Sequence, residues 1–434
     1  MTKIRADIEE NIAATYEGYE EQLPENIQQK LEWFKDQKIG VIFHWGLYAV
    51  AGIVESWQMS EEDDWARKRG GWRNQIDELR KDYWGLNHSF NPYAFNPEEW
   101  AKRCKEAGFR YMIFTTKHHD GFNMYDTKYS DYKVTAAPCP FATNERADLF
   151  LEVADAFREQ GMGVGAYYSK PDWHSPLYWV PGEHAKGRYA SYNPLEYPER
   201  WAQYDQFVHD QLVELASSYG DLDLMWLDGG WVNKRNELLD MDRIVTDVRA
   251  QQPDLLMVDR SIGGIHENYV TPERKIPDTP PTKAWESNIP LAKNWGFCPN
   301  DTYKSFEEIL TSVVKVVAMG GNIILGVGPK PDGTLPNEAF TILEPLGKWL
   351  DQFGEGIYET RPVHFKVAEG WYFTQKGATY YAFHEKGQTN PLVIEELPFA
   401  VHKVTDLNTG QASNLDTINQ NLCHEDLYQV YKIE

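Results

Sequence analysis

The 434-residue chain is short of positive charge: 43 Lys and Arg stand against 66 Asp and Glu, a formal net charge of −23. A field of that sign repels phosphate backbones, which argues against nucleic acid as a partner and favours a neutral ligand. Cysteine is also scarce. Cys104, Cys139, Cys298 and Cys423 lie far apart with no C-x-x-C spacing, so neither a disulfide framework nor a cysteine zinc site is expected. No apolar run approaches the ~20 residues that cross a bilayer, and no membrane partner is expected. The segment Met1–Glu10 carries charge where a secretory signal would carry its apolar core, from which a cytoplasmic location is expected. There is no solenoid-type period and no low-complexity segment.

Aromatic residues, by contrast, are plentiful, with 16 Trp and 25 Tyr. Tryptophan in loops stacks on the apolar faces of sugar rings, or alternatively packs the loops of a large barrel. Positions must decide between the two.

The first ~345 residues alternate strand, helix and loop, the pattern of a β/α barrel. A helical face with Ile27, Leu31, Trp33 and Phe34 feeds the strand Ile39–Gly46. A charged, Trp-containing region from Leu47 to Tyr93 follows, too long for a plain connection. Asn96 and Pro97 then open a helix as N-cap and first residue, with Glu98 and Glu99 in the first turn. Further strands are expected at 111–117, 164–169, 221–228, 255–260 and 321–328, with a short run at Lys283–Glu286. That makes seven strands where a closed barrel has eight. After Gly354 the pattern changes to short alternating runs such as Trp371–Thr374 and Ala378–Phe383, an all-β pattern. The fold expected is α/β, a (β/α)8-like barrel over 1–345 with an N-terminal helical lead-in, followed by a small C-terminal antiparallel β-sandwich domain over 346–434.

The chain is organised around Asp221–Trp231, an apolar run ending in Asp228 and two glycines. It reads as a buried parallel strand whose last residue emerges at a loop mouth. Asp228 there is either a turn cap or a catalytic group. Other strand ends and loops add His44, His118, His119, Tyr168 and Arg260, joined by Glu55, Trp57 and Glu286. Barrel strands deliver such residues to one mouth. Two chemistries fit. One is glycoside hydrolysis by a carboxylate pair, with histidines and Trp holding the sugar. The other is a metal-dependent hydrolase using His44, His118, His119 and Asp228, against which stands the divergence expected of side chains on adjacent residues. A sugar-binding barrel without catalysis is a third, non-enzymatic alternative.

The runs Leu31–Asp36, Phe43-His44-Trp45-Gly46, Thr116–Phe122, Tyr168-Ser169 and Trp226-Leu227-Asp228-Gly229 resemble, in order and spacing, the glycoside hydrolase family 29 α-L-fucosidases. The resemblance covers about residues 30–345. It implies a retaining exo-glycosidase without cofactor or metal, acting on fucosylated oligosaccharides or glycosides. It further implies Asp228 as nucleophile and His44, His118, His119, Tyr168, Trp226 and Arg260 lining the fucose pocket, with Glu55 and Trp57 from the first loop.

For the general acid, Trp285-Glu286 with Trp295-Gly296-Phe297 resembles the pattern of one branch, which selects Glu286 over its rivals Glu273 and Glu55. The chain departs from the family where Ser56 separates Glu55 from Trp57, and where Gly326 stands in place of a common asparagine before Val327. Linkage preference and oligomeric state are not legible, and a homo-oligomer stays open.

Overall fold

A computed structural model describes residues 20–434 except 69, 233–235, 261–264, 393–400 and 421. Its larger sheet is parallel and seven-stranded: β1 (Ile39–Phe43), β2 (Tyr111–Lys117), β3 (Gly163–Ser169), β4 (Leu224–Asp228), β5 (Leu256–Val258), β6 (Glu286–Pro290) and β7 (Asn322–Val327), in the order β5-β4-β3-β2-β1-β7-β6. The sheet curls into a barrel whose strands are joined by helices.

Apart from β6, the strands alternate between two apolar clusters, as a period of two dictates. Ile42, Tyr111, Ile113, Tyr167, Leu224, Trp226, Leu256, Val258 and Ile324 face inward. Val41, Phe43, Met112, Phe114, Ala166, Tyr168, Met225, Leu227 and Met257 face the helices. Gly40 is required by this packing, since a Cβ there would lie 2.3 Å from the Tyr111 ring that fills the interior.

The helix Glu25–Gln37 closes the N-terminal end of the barrel. Its Ile27, Leu31 and Phe34 join the inner cluster, with Phe34 stacked on Tyr269 at 4.2 Å. Burying each such side chain contributes about 1.5–3 kcal/mol. The helix Pro97–Glu106 begins as its sequence predicts, with Asn96 accepting from the Glu99 N–H.

The expected eighth strand takes an irregular form. Residues 268–274 run between β5 and β6: the Asn268 N–H bonds the Met257 carbonyl at 2.8 Å, and bridges join Val270 to Trp285 and Glu273 to Asn288. The two bridges share one register, but Pro272 has no N–H to complete the ladder between them, and the proline breaks the strand pattern in the sequence.

Beyond the barrel, β8 (Arg361–Pro362), β9 (Trp371–Lys376), β10 (Thr379–Glu385), β11 (Val404–Asp406), β12 (Gln411–Ser413) and β13 (Tyr428–Ile433) form an antiparallel sheet. Among the described residues, no helix is long and apolar enough to cross a membrane. The four cysteines are free.

Candidate active site

Inward parity at the C-terminal strand ends brings His44, Tyr167, Ser169, Asp228 and Arg260 to one chamber. The β3–β4 register sets Ser169 beside Asp228. Asp228 Oδ2 accepts from the Tyr167 hydroxyl at 2.6 Å and Oδ1 from Arg260 Nη1 at 3.2 Å. His119 Nε2 lies 3.7 Å from Oδ2. Burial works against the charge on Asp228, but Arg260 and the Tyr167 hydroxyl outweigh it and hold the carboxyl well below the usual range. The strand turns at once into Gly229, whose φ is +89° and whose pro-Cβ position lies 2.3 Å from Pro171 Cδ, so only glycine fits.

Arg260 adopts φ +51°, a left-handed conformation that costs a non-glycine residue on the order of 1–3 kcal/mol. It stacks over Trp226 at 4.6 Å and sends its second nitrogen, Nη2, to Glu273 Oε2 at 3.3 Å. One guanidinium therefore bridges Asp228 and Glu273. The Trp295 indole N–H donates to Glu273 Oε1 at 3.2 Å. Glu273 rides on the irregular 268–274 segment at the level of Asn288, nearer the mouth than Glu286.

Glu286 is the main departure from the sequence expectation. It starts β6, paired with Asn322 at the N-terminal end of the sheet, and is fully buried in the floor, where the Tyr111 hydroxyl donates to it at 2.6 Å. Burial pushes its carboxyl up to about 8. A side chain sealed at the closed end of the barrel cannot meet a leaving group at the mouth, so Glu286 is withdrawn as general acid. The Trp-Glu motif that suggested it belongs to the barrel's core.

Tyr168 is the second correction. Strand alternation turns it outward, where its hydroxyl donates to Gln211 at 2.8 Å and receives Lys117 Nζ at 3.0 Å. Tyr167 is the tyrosine in the chamber. Parity with Trp226 and Asp228 across the β3–β4 register was the signal that could have found it.

His44, His118 and His119 converge. Burial takes the His118 imidazole down to about 4 and the other two well below the ordinary histidine value, so all three are neutral near pH 7. His44 stacks on Trp295 at 5.0 Å. His118 Nδ1 lies 2.6 Å from Ser56 Oγ, and His119 Nδ1 lies 2.7 Å from Ser169 Oγ. The two serines are site residues whose roles the sequence did not reveal, although Ser169 lies in the Tyr168-Ser169 run. Ser56, the apparent insertion after Glu55, holds a pocket histidine.

Trp57 meets the His119 ring edge-on at 4.9 Å, and Arg188 lies over it at 4.8 Å. Arg188 also forks onto Asp63, tying the 170–200 loop to the 47–93 loop. Trp226 stacks on Tyr167 at 5.4 Å. Glu55 is held at φ +31° and accepts the backbone N–H groups of Trp295 and Gly296 at 2.8 and 2.7 Å. It thus anchors the turn that carries Trp295, with one carboxylate oxygen engaged by the protein.

The adjacent histidines do not diverge as expected, because β2 ends in a turn at this point; their ring centroids are 4.2 Å apart. Donor atoms of His118, His119 and Asp228 lie within 4.8 Å of one another. That spacing is loose for a shared ion bound at about 2.0–2.2 Å. Arg260 on Asp228 also sets a fixed positive charge beside the place a cation would take. The donor set does not fit a metal well.

A family model described as alpha-L-fucosidase matches residues 6–355. The tissue alpha-L-fucosidase of Homo sapiens is 28% identical over 400 residues, spanning 84% of this chain and 78% of that protein. The alpha-L-fucosidase of Dictyostelium discoideum is 25% identical over 378 residues, spanning 81% and 77%. Among solved structures, alpha-L-fucosidase isoenzyme 1 from Paenibacillus thiaminolyticus aligns with a TM-score of 0.79 at 28% identity, covering 94% of this chain and 99% of that one. The Thermotoga maritima alpha-fucosidase aligns with a TM-score of 0.72 at 26% identity, covering 93% and 96%.

Proposed function

Because the chain belongs to the alpha-L-fucosidase family of glycoside hydrolases, we propose that it removes terminal α-L-fucosyl residues with retention, using Asp228 as nucleophile and Glu273 as general acid and base. The observation that carries this reading is the Arg260 bridge between the two carboxylates. A retaining enzyme needs its pair close, about 5–5.5 Å apart, one ionised and one protonated.

Asp228, held ionised, attacks the anomeric carbon while Glu273 gives its proton to the departing glycosidic oxygen. The covalent fucosyl-enzyme leaves Asp228 neutral as an ester and Glu273 negative. Arg260 thus faces one negative charge before and after the step, and serves whichever carboxylate holds it. Glu273 then takes a proton from the water that attacks the ester. Neutral His44, His118 and His119 bond the ring hydroxyls, bonds that strengthen as oxocarbenium character develops. Trp57 and Trp226 offer apolar surface for the C5 methyl, worth about 1–3 kcal/mol against a hydroxylated analogue.

The test is turnover of an aryl α-L-fucoside beside the matched α-galactoside and β-fucoside, with the anomer of the first product read by proton NMR. Release of α-L-fucose from the α-fucoside alone is expected. A β-fucose first product, or preference for either control, would overturn the reading.

A further inference from the structure

Lys170 follows directly on β3, is completely buried, and joins the two strand ends that carry the nucleophile and its arginine. Its backbone N–H donates to the Asp228 carbonyl at 2.9 Å, one rung beyond the β3–β4 ladder. Its side-chain Nζ donates to the carbonyl of Asp259. Its own carbonyl accepts the Tyr204 hydroxyl at 2.5 Å, which pins the residue from the side of the helix Pro198–Ser218.

The Asp259 carbonyl belongs to the peptide bond that enters Arg260. Beyond that bond the backbone takes its left-handed turn at φ +51°, and this turn swings the guanidinium back over Trp226 to reach Asp228 and Glu273. A non-glycine residue keeps such a conformation only where its surroundings fix the adjoining peptide. Lys170 supplies a fixing bond from the neighbouring strand end. We propose that Lys170 is a positioning residue, which holds the Asp259–Arg260 peptide and thereby aims the Arg260 guanidinium between the two carboxylates.

The charged groups around the Lys170 ammonium are Asp259, Asp228, Glu267 and Arg260, and burial brings its pKa down to about 8. Either protonation state retains an N–H for the Asp259 carbonyl, so the positioning bond survives the titration. The proposal rests on the reading of Asp228 as nucleophile with Arg260 as its partner. Wild-type turnover tests that reading, and only comparisons among variants test Lys170.

Lys170→Met keeps the buried stem and removes the donor. It is expected to lower kcat on an aryl α-L-fucoside by about 100-fold, with KM changed less than about fivefold and the far-UV circular dichroism unchanged. With Arg260 displaced, Asp228 loses its strongest cationic partner, so the acid limb of the kcat/KM profile should move to higher pH. Lys170→Arg, which keeps a donor and the charge, should recover at least a tenth of the wild-type rate. In an Arg260→Ala background the group to be aimed is gone, and Lys170→Met should cost less than about threefold more. Should Lys170→Met fail to fold, Lys170→Leu, which also lacks a donor, takes its place in both comparisons. Wild-type kinetics in the single variant, an unmoved acid limb, or full additivity with Arg260→Ala would each overturn the proposal.

Discussion

Ser169 Oγ lies 2.7 Å from His119 Nδ1 and already donates its single proton to the Pro171 carbonyl at 2.6 Å. The hydroxyl can only accept from the ring, so the neutral imidazole carries its proton on Nδ1 and presents a bare Nε2 to the chamber. That nitrogen faces Asp228 Oδ2 at 3.7 Å, an acceptor beside an acceptor, and the pair calls for a hydroxyl donor between them. Ser169→Ala should free the tautomer and lower kcat/KM roughly tenfold, mostly through KM. Nitrogen NMR of labelled histidine should lose the protonated-Nδ1 signature of His119, and unchanged kinetics with an unchanged spectrum would refute the assignment.

Asp228→Ala should abolish turnover, by roughly 10³-fold or more, while fucose still binds. Isothermal titration with fucose and a fixed-time assay separate the two effects. Substantial residual activity in pure protein would remove Asp228 from the nucleophile's role.

Glu273→Ala should slow alkyl fucosides by about 10²–10⁴-fold but spare the first step of aryl fucosides with good leaving groups. Azide should then restore turnover and yield a fucosyl azide of α configuration, since the intermediate on Asp228 is itself inverted. Glu286→Gln should leave the leaving-group dependence as it is. The opposite pattern between these two variants would return the acid to the floor of the barrel.

The floor glutamate has its own pH signature. Its folded-state pKa, about 8, lies above the ordinary value of 4.5, so the fold keeps a proton that the unfolded chain gives up. Stability from this group is complete below about pH 4.5 and declines as pH rises toward 8, at up to roughly 1.4 kcal/mol per unit. Glu286→Gln mimics the protonated form and should flatten that decline. Thermal melts from pH 5 to 9 measure it, and parallel curves for both proteins would contradict the assignment.

Prolonged treatment with EDTA or phenanthroline should leave kcat unchanged, because His118, His119 and Asp228 are set for hydroxyls. A stoichiometric zinc or manganese ion whose removal stops turnover would revive the metal-hydrolase alternative.

The barrel and the strand that ends in Asp228 were readable because apolar runs, Gly ends and helix caps are local signals. Asp228 stands out by contrast, a carboxylate closing the four apolar or aromatic positions Leu224–Leu227. What could not be read was direction and level. Tyr167 and Tyr168 are identical in composition, and only the register with β4 decides which faces inward. Glu286 sits in a motif-like pair, yet the level at which β6 begins puts it on the floor. Glu273 lies on a segment without strand periodicity, so no pattern fixed its height in the barrel. Ser56 and Ser169 act through hydrogen bonds to ring nitrogens, and such roles leave no trace in spacing.

The small sheet is joined to the barrel by more than the chain itself. Tyr381, Phe383, Tyr428 and Val430 belong to the same continuous apolar cluster as Leu346, Leu350 and Phe353 of the helix Asn337–Phe353. Arg361 reaches down to Glu32 and Asp36 on the helix that plugs the barrel floor. Those half-exposed ion pairs are each worth little, and the shared apolar packing is the stronger tie. A chain cut after Phe353 would bare a greasy flank and unfasten the plug together. The small sheet thus works as a buckle, and wear at the buckle would be felt at the floor on which the Asp228 chamber stands.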